Sequence, residues 1–376
     1  MKRNYDVVVV GGGPAGAAAA HEAVKNGLRT LIIEKHKMPR HKTCSGMLMP
    51  ECVDLLKNNF GDIPKKLLSE PIMFHSIRLH FDSGRTYDIP LKALIVKRNE
   101  FDRWLCEQSG ADIQDEVELA DFNENSGGVM LTCNTKNNRR DTVSCSVMIG
   151  ADGSRSNIGY SLDPGRREKI VWYTVSQFYH KGTADLEPGY FHVFSSENLC
   201  FYPAAYWKEK TIVVDTNIPT GHNMALERNR FTDFLGSRYG FKSDGIARRA
   251  GCMYALPARR GLFQTGSDRI FLAGDAGGFT RFLGEGITAA IATGTIAGSA
   301  AFQGLNTGRS PGEMYRKLVR GEMKLSRGDF SFGTHLKRYM SGFKYNSWAQ
   351  RILSAGDLIH FSRSIASLEN RLIKKG

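Results

Sequence analysis

The feature that most constrains the fold of this 376-residue chain is a glycine-rich turn between a short apolar strand and an alanine-rich helix. The apolar, β-branched run at residues 5–10 predicts a strand, and it ends in the sequence GGGPAG at residues 11–16. A helix is predicted over 17–25, and a second strand over 29–33 ends at Glu34. Strand, glycine turn, helix and strand together form one βαβ unit.

The spacing of the glycines indicates a site for a dinucleotide. Gly11 permits the tight turn, Gly13 lets the backbone approach a pyrophosphate, and Gly16 allows the helix to pack closely on the strand. The helix N-terminus stabilises phosphate charge, and Glu34 follows at the distance suited to ribose hydroxyls. We assign the following residues to this site: Gly11, Gly13, Pro14, Ala15, Gly16, Glu34 and Lys35.

Two further strand-to-turn motifs follow along the chain. Residues 148–156 (MIGADGSRS) predict a strand that runs into the turn Asp152-Gly153. Residues 269–276 (RIFLAGDA) predict a buried strand that ends at Gly274-Asp275. The chain then continues through LGEG at residues 283–286 into a helix. The first βαβ unit alone does not distinguish one dinucleotide from another, whereas the three motifs in this order do.

With these three motifs the sequence resembles the FAD-dependent group that contains the aromatic hydroxylases and the geranylgeranyl reductases. The resemblance implies FAD as cofactor, with Asp275 on its ribityl chain. It also implies that the helix after Gly286 points its N-terminus at the N1–C2=O edge of the flavin, where reduction places negative charge. Arg98, before the helix-forming sequence FDRWL, is expected to reach the cofactor. The resemblance adds these cofactor-binding residues: Arg98, Asp152, Gly153, Gly274, Asp275, Gly284, Gly286 and Ile287.

The loop at residues 42–50 (KTCSGMLMP) resembles the C-G-G-x-L loop of geranylgeranyl-reductase-like proteins, and the likeness extends in motif order over roughly residues 5–300. In that family the loop lies near the flavin, so Cys44, Ser45 and Gly46 are added to the cofactor site. Cys44 is the candidate catalytic residue, either helping to protonate the substrate or sensing redox state. The alternative is that the loop only shapes the pocket.

Two segments depart from the reductases that act on prenylated lipids. Those proteins carry Y-x-W-x-F-P-K followed by G-x-G, whereas residues 198–204 keep only an aromatic-proline pair and residues 211–215 contain no G-x-G. The Gly-Asp stretch is also one residue shorter, with Phe282 about where proline is expected. The sequence therefore leaves the substrate open.

Absent motifs exclude other classes. There is no second GxGxxG and no redox C-x-x-C pair, as pyridine-nucleotide disulfide reductases require, and no W-x-W-x-I-P of flavin halogenases. Seven cysteines, an odd number with no paired spacing, predict free thiols in a reducing compartment and no metal site. The chain opens directly into a strand, so no cleavable signal peptide is predicted. The Gly/Ala-rich stretch 286–302 predicts a packed helix and not a membrane span.

The predicted fold class is α/β. A Rossmann-like FAD-binding domain would comprise residues 1–71, 98–165 and 263–310, an antiparallel-sheet substrate domain residues 72–97 and 166–262, and a C-terminal helical segment residues 311–376. Aromatic residues are dense in the predicted sheet, where they serve as core or as the roof of a pocket for a large apolar substrate. They are Tyr173, Phe178, Tyr179, Phe191, Phe194, Phe201, Tyr202, Tyr206 and Trp207.

Three functions stay open on the sequence. The first is a reductase that transfers hydride from reduced FAD to a C=C bond of an isoprenoid or other apolar molecule, with NADPH or a reduced protein carrier as electron donor. The second is a monooxygenase that hydroxylates an aromatic ring. The third is a flavin-binding protein without turnover, which acts as a sensor or docking module.

Most of the formal charge of +13 falls in the tail, where residues 309–376 hold 14 basic and 5 acidic side chains. Combined with apolar residues at helical spacing, these charges predict either interfacial helices on an anionic membrane or a helical cap with solvated charges. Nucleic acid is not expected, since no nucleic-acid motif accompanies the charge. We expect a cytoplasmic protein that at most contacts the inner face of the membrane peripherally.

Overall fold

The computed structural model describes residues 4–136, 139–199, 203–281 and 284–328. Its strands are β1 (Asn4–Val10), β2 (Thr30–Glu34), β3 (Met47–Leu48), β4 (Leu68–Phe81), β5 (Thr86–Val96), β6 (Asp112–Asp115), β7 (Val117–Asn125), β8 (Gly128–Thr135), β9 (Arg140–Gly150), β10 (Trp172–Thr183), β11 (Tyr190–Ser195), β12 (Ala204–Lys208), β13 (Thr211–Pro219), β14 (Lys242–Ala255) and β15 (Ile270–Leu272). Its helices are α1 (Pro14–Lys25), α2 (Pro50–Phe60), α3 (Arg98–Gln108), α4 (Asn157–Leu162), α5 (Met224–Tyr239), α6 (Ile287–Thr307), α7 (Pro311–Leu318) and α8 (Arg320–Gly328).

In the described part of the chain, the first sheet has the order β6–β2–β1–β9–β8–β7, and β15 also pairs with β9. Strands β6, β2, β1, β9 and β15 run parallel, whereas β7, β8 and the first half of β9 form an antiparallel meander. Backbone hydrogen bonds join Gly11 to β2, Ala151 to β1 and Ala273 to β9. The turns after β1, β9 and β15 therefore meet at one edge of the sheet.

Both faces of this sheet are covered, as a parallel sheet requires. Along β1, Val7 and Val9 pack in a core with α1, α3 and α6, whereas Tyr5, Val8 and Val10 pack with the β7–β8 hairpin. Small residues let α1 and α6 approach closely, since a Cβ atom on Gly294 would collide with the carbonyl of Ala15. The Gly/Ala-rich stretch is thus a packed helix, as predicted. None of the described helices combines the length and apolarity needed to cross a bilayer.

The second sheet, again within the described residues, has the order β14–β10–β13–β12–β11–β4–β5–β3. Strands β4 and β5 form a hairpin around Gly84, and β10, β12 and β13 pair antiparallel. The prediction of a purely antiparallel sheet is wrong at one position, because β11 pairs with β4 in parallel. At this position the early hairpin joins the later meander, and no tight turn dictates the relative direction of the two strands.

Helix α3 begins at Arg98, and its N-cap residue Lys97 makes no side-chain capping bond. The Asn99 side chain donates to Glu100 at 3.2 Å. Strand β4 begins at Leu68, before the predicted start of the sheet domain at residue 72. The division into domains itself stays a prediction.

Helices α7 and α8 pack onto the first sheet and α6. Tyr315 is fully buried, stacks on Phe271 and donates its hydroxyl to the carbonyl of Leu272 at 2.8 Å. Glu322 pairs with Arg281 at 2.9 Å. These two helices match the interpretation of the tail as a helical cap. The remaining predicted tail helices lie outside the described residues, as do Phe282, Phe201 and Tyr202.

Candidate functional site

A cavity of about 810 Å³ lies between the motif edge of the first sheet and the inner face of the second sheet. It collects most of the residues predicted for the cofactor site. Those that line it are Gly11, Gly13, Pro14, Ala15, Glu34, Lys35, Cys44, Ser45, Arg98, Asp152, Gly153, Asp275, Gly284, Gly286 and Ile287.

Three predicted residues, Gly16, Gly46 and Gly274, are not part of this lining. Gly16 packs against the carbonyl of Gly11, and Gly46 packs against the carbonyl of Val96. Gly274 lies between the side chains of Ala15 and Ala290, and its N–H donates to Thr293 at 2.9 Å. These glycines allow the elements around the cavity to approach one another.

The turn after β1 leads directly into α1. Gly11 has a φ of +112°, and a Cβ atom there would collide with the carbonyl oxygen of Ala151. Helix α1 starts at Pro14, and its N-cap residue Gly13 provides no side-chain capping bond. The N–H groups of an uncapped first turn attract an anion, and here they face the cavity.

Glu34 ends β2 and is held by a chain of buried charges that the sequence did not reveal. Its Oε2 accepts from the N–H of Gly12 at 2.9 Å and pairs with Arg40 at 3.0 Å. Arg40 also pairs with Asp102 at 3.2 Å, and Asp102 pairs with Arg98 at 2.9 Å. The alternation of acid and base fixes the orientation of Glu34 beside the cavity. Arg40 lies six residues after Glu34 in an irregular loop, so no periodic sequence pattern indicated that it belongs to the site.

The turn after β9 places Asp152 and Gly153 in the lining. Burial raises the pKa of Asp152, and the hydroxyl of Ser156 opposes this by hydrogen bonding. One carboxylate oxygen of Asp152 is buried without a protein partner. An unpaired buried acceptor costs free energy, so a ligand with hydroxyl donors fits this position.

Asp275 and the N-terminus of α6 form the opposite wall. Asp275 is partly buried beside Gly286, and desolvation raises the pKa of its carboxyl group. In the first turn of α6, Glu285 Oε1 accepts from the N–H of Thr288 at 2.9 Å. Burial also raises the pKa of Glu285. Glu285 lies in the motif LGEG, just before α6, and its side chain folds back onto the first turn of the helix. Its position in the sequence did not predict this contact.

Cys44 lies on the cavity wall between two buried cations. Its sulfur accepts from the N–H of Gly46 at 3.3 Å and lies close enough to the guanidinium of Arg98 to raise the pKa of that group. Lys208 of β12 reaches the same loop, where its Nζ donates to the carbonyl of Ser45 at 2.5 Å. Burial lowers the pKa of Lys208 to about 8, and the nearby Cys44 opposes that shift. No sequence pattern indicated Lys208, which is a lone charge at the end of an aromatic strand.

The second sheet forms the roof of the cavity, and its two halves differ in chemistry. Side chains of β4, β5 and β11 form what we call the apolar half of the roof, and those of β10, β13 and β14 form the polar half. The apolar half is Ile77, Leu79, Ile89, Leu91, Phe191 and Val193. The polar half contains Gln177, Asp215, Asn217 and Tyr254, and the apolar side chains of Val175 and Met253 line it as well.

The aromatic residues predicted for this sheet divide between cavity and core. Tyr173 and Phe191 line the cavity, whereas Tyr179, Phe194 and Tyr206 are buried in the sheet's own core clusters. Trp207 packs at the edge of one of these clusters and donates to the carbonyl of Leu186 at 2.7 Å. Both interpretations of the aromatic pattern therefore hold, each for different residues.

Comparison with known proteins agrees with this arrangement. Residues 4–193 match the family described as FAD binding domain. Geranylgeranyl diphosphate reductase of Arabidopsis thaliana is 28% identical over 332 residues, which cover 82% of this chain and 68% of that protein. The enzyme of the same name from Rhodobacter capsulatus is also 28% identical over 332 residues, covering 85% of this chain and 80% of that protein.

A solved structure shares the fold over nearly its whole length. The crystal structure of a geranylgeranyl bacteriochlorophyll reductase-like protein from Thermoplasma acidophilum has a TM-score of 0.77 at 18% identity, covering 98% of this chain and 99% of that one. The uncapped α1, the unpaired oxygen of Asp152 and the partly buried Asp275 all suit FAD as the cofactor. The chain belongs to the FAD-binding domain family and is a FAD-dependent oxidoreductase related to the geranylgeranyl reductases.

Proposed function

We propose that this protein reduces C=C bonds of an isoprenoid or similar apolar substrate. The observation that carries this proposal is the apolar half of the roof, which faces the edge where the three cofactor motifs meet. Such a surface suits a hydrocarbon chain held over a cofactor. The names of the sequence relatives, among them a digeranylgeranylglycerophospholipid reductase of Methanosphaera stadtmanae, support the same class of substrate.

The predicted site residues would hold FAD as follows. The N-terminus of α1 would take the pyrophosphate, Glu34 the ribose hydroxyls and Asp275 the ribityl chain. The first turn of α6 would face the flavin edge, with Glu285 already bonded to one of its N–H groups. When bound and reduced, FAD supplies a hydride.

The chain's own residues would bind the substrate and supply a proton. Saturating a C=C bond consumes one hydride and one proton, so a proton donor near the substrate is required. Cys44 lies on the cavity wall beside the guanidinium of Arg98. We assign Cys44 as the residue that protonates the substrate.

The test is anaerobic photoreduction of the purified yellow protein, followed by reoxidation with a panel of polyprenyl lipids, quinones and phenols under mass spectrometry. We expect a product two mass units heavier from a polyprenyl compound, and noncovalent FAD on release of the cofactor. Release of FMN would contradict the assignment of the βαβ unit.

The same experiment separates the two alternatives. Oxygen uptake with a hydroxylated aromatic product would identify a monooxygenase. Reduced flavin that no compound reoxidises would identify a flavin-binding protein without turnover. NADPH and a reduced ferredoxin are then compared as electron donors, because the proposal requires one of these two classes.

We also propose that the protein acts at the inner face of an anionic membrane while remaining peripheral to it. A water-insoluble substrate would make such docking useful, and the tail carries most of the net positive charge of the chain.

A further inference from the structure

Asp215 is a carboxylate in the roof of the cavity, and the cofactor motifs do not account for it. It lies on β13, directly opposite Gln177 of β10. The amide of Gln177 donates to one carboxylate oxygen of Asp215 at 2.7 Å and to the hydroxyl of Tyr206 at 3.3 Å. Gln177 is itself oriented by Tyr179, which donates to its carbonyl at 3.3 Å. The carboxylate is therefore fixed from behind and presented to the cavity.

A second acceptor lies beside it. Asn217 is two residues further along β13, so its side chain emerges on the same face of the sheet. Its amide nitrogen donates to the hydroxyl of Tyr254 at 2.6 Å, and its carbonyl oxygen is buried without a partner. Two acceptors on one strand thus face the cavity, and burying such groups unpaired costs free energy.

The surrounding charges limit what these acceptors can bind. Arg248 lies over the ring of Tyr179 at 3.7 Å, and Lys42 lies close enough to act on Cys252 and Asp275. These cations disfavour an ammonium group, whereas Asp215 repels a phosphate or carboxylate. A neutral hydroxyl donates a hydrogen bond to the acceptors and avoids both repulsions.

The two halves of the roof are continuous. Phe191 and Val193 on β11 lead through β12 to Asp215 on β13, and Ala204 pairs with both Val193 and Asp215. We propose that the polar half of the roof is a binding subsite for a hydroxyl group, so that the substrate is an amphipathic molecule with an apolar chain and a neutral hydroxyl-bearing end. This deepens the proposed function, on which it rests for the apolar chain.

The subsite should discriminate between an alcohol and its ether. A hydrogen bond to a charged group changes binding by roughly 10- to 100-fold, and an ether cannot donate one. The probes are farnesol, a C15 prenyl alcohol, and its methyl ether, which keeps the chain. Each is titrated into the oxidised FAD-loaded protein, and binding is read from the visible absorbance of the flavin. This measurement requires no electron transfer.

We expect the wild-type protein to bind farnesol roughly 10- to 100-fold more tightly than the ether. Asp215→Leu should abolish this ratio, because it weakens the binding of farnesol and leaves the binding of the ether unchanged. Asp215→Asn keeps the shape, removes the charge and should reduce the ratio by roughly tenfold. The matched control is Leu79→Ala in the apolar half, which should weaken the binding of both probes equally. Each variant is compared with the wild-type protein only if its FAD content and melting temperature are those of the wild type.

Equal affinity of the wild-type protein for the two probes, including no binding of either, would overturn the subsite. An unchanged ratio in both Asp215 variants would overturn it as well. Product analysis is independent of this outcome. If the protein discriminates between the probes but never reduces either, the reductase assignment fails and the subsite stands. If it reduces them without discriminating between them, the subsite fails and the reductase assignment stands.

Discussion

At the scale of single residues, the surroundings of Cys44 join three parts of the chain. The sulfur lies in the loop after β2, Arg98 begins α3, and Lys208 ends β12. Burial lowers the pKa of Arg98, but Asp102 and Cys44 outweigh this and raise it, so the guanidinium stays charged beside the thiol.

We predict that Cys44→Ser keeps FAD but loses turnover by about 100-fold or more, because proton transfer contributes on this scale. The measurement is single-turnover reoxidation of the photoreduced protein by a reducible polyprenyl substrate. Cys252→Ser is the matched control, since Cys252 lines the same cavity and lies outside the Arg98 contact. Full activity of Cys44→Ser would assign the residue to the pocket wall.

Asp275 gives a second prediction at this scale. Asp275→Ala should weaken FAD binding by roughly 10- to 100-fold, since a charge-assisted hydrogen bond to the ribityl chain is lost. The melting temperature of the apoprotein should not fall, because the variant removes a partly buried carboxylate whose pKa is raised by desolvation. Equilibrium dialysis against FAD and thermal unfolding of the apoprotein check the two parts separately. Unchanged FAD affinity would contradict the assignment.

At the scale of elements, a network of ion pairs connects β2 and the following loop to α3. It runs in the order Glu34–Arg40–Asp102–Arg98. Arg40 is 14% exposed at its side chain and Asp102 is fully buried. Removing the central cation leaves two buried carboxylates with one partner fewer each. The network therefore stabilises the fold and also orients Glu34 towards the cavity.

We predict that Arg40→Met lowers the free energy of unfolding by about 3 kcal/mol, the scale for breaking a buried ion pair from one side. Urea denaturation measures the loss. Arg103→Met is the control on α3, because Arg103 pairs with Glu107 in a half-exposed i,i+4 bridge and its loss should leave the midpoint unchanged. Similar losses in both variants would show that the network is not specially stabilising.

The pairing of β4 with β11 buries two histidines against each other. His80 Nε2 and His192 Nδ1 are 2.9 Å apart, and Tyr239 hydrogen-bonds the other nitrogen of His80. Burial, and then the neighbouring His192, lower the pKa of His80 to about 3. Because the folded protein resists protonation at this position, stability is complete above the unfolded-state pKa of about 6.5 and is lost as the pH falls towards 3.

We predict that His80→Phe makes the unfolding free energy less sensitive to acid. The variant should be less stable than wild type at pH 7, where a hydrogen-bonded pair is lost. The difference should shrink by about 1.4 kcal/mol per pH unit between pH 6 and pH 4, the value for one proton. Phenylalanine suits the position because His80 stacks on Phe194. Parallel stability curves for the two proteins would rule out His80 as the titrating group.

At the scale of the whole molecule, the cavity exists only because two sheets face each other. The first sheet contributes the cofactor motifs at its parallel edge, and the second contributes an amphipathic roof. Helices α7 and α8 cover the first sheet and reach the cavity through the ion pair of Glu322 with Arg281. The tail therefore connects to the site through at least one buried charge.

We predict that the intact protein sediments with anionic liposomes at low salt and not with neutral ones. Coulombic attraction between the basic tail and anionic lipid is screened by salt, so binding should weaken at about 0.5 M NaCl. Co-sedimentation with vesicles of phosphatidylglycerol, and of phosphatidylcholine as control, measures it. If the protein does not sediment with anionic vesicles at low salt, membrane docking is contradicted and the tail is interpreted as a structural cap.

The sequence by itself determined the cofactor-binding half of this protein. Gly11, the Asp152-Gly153 turn and the Gly274-Asp275 turn each follow a buried strand, and parallel strands bring such turns to one edge whatever the rest of the chain does. Local rules of backbone conformation and helix charge predicted the dinucleotide turn, and the resemblance of the three motifs to a FAD-dependent family supplied the rest. The same resemblance indicated Cys44 through its loop but gave no information about the residues that surround it.

Only the tertiary structure decided the chemistry of the roof and of the charge network. Gln177 and Asp215 become neighbours through the register of β10 on β13, and Arg40 meets Asp102 across 62 residues. The parallel pairing of β11 with β4 arises in the same way. Contacts between distant segments depend on strand register and packing, which no local pattern encodes, so the substrate-binding half could be inferred only after the chain was folded.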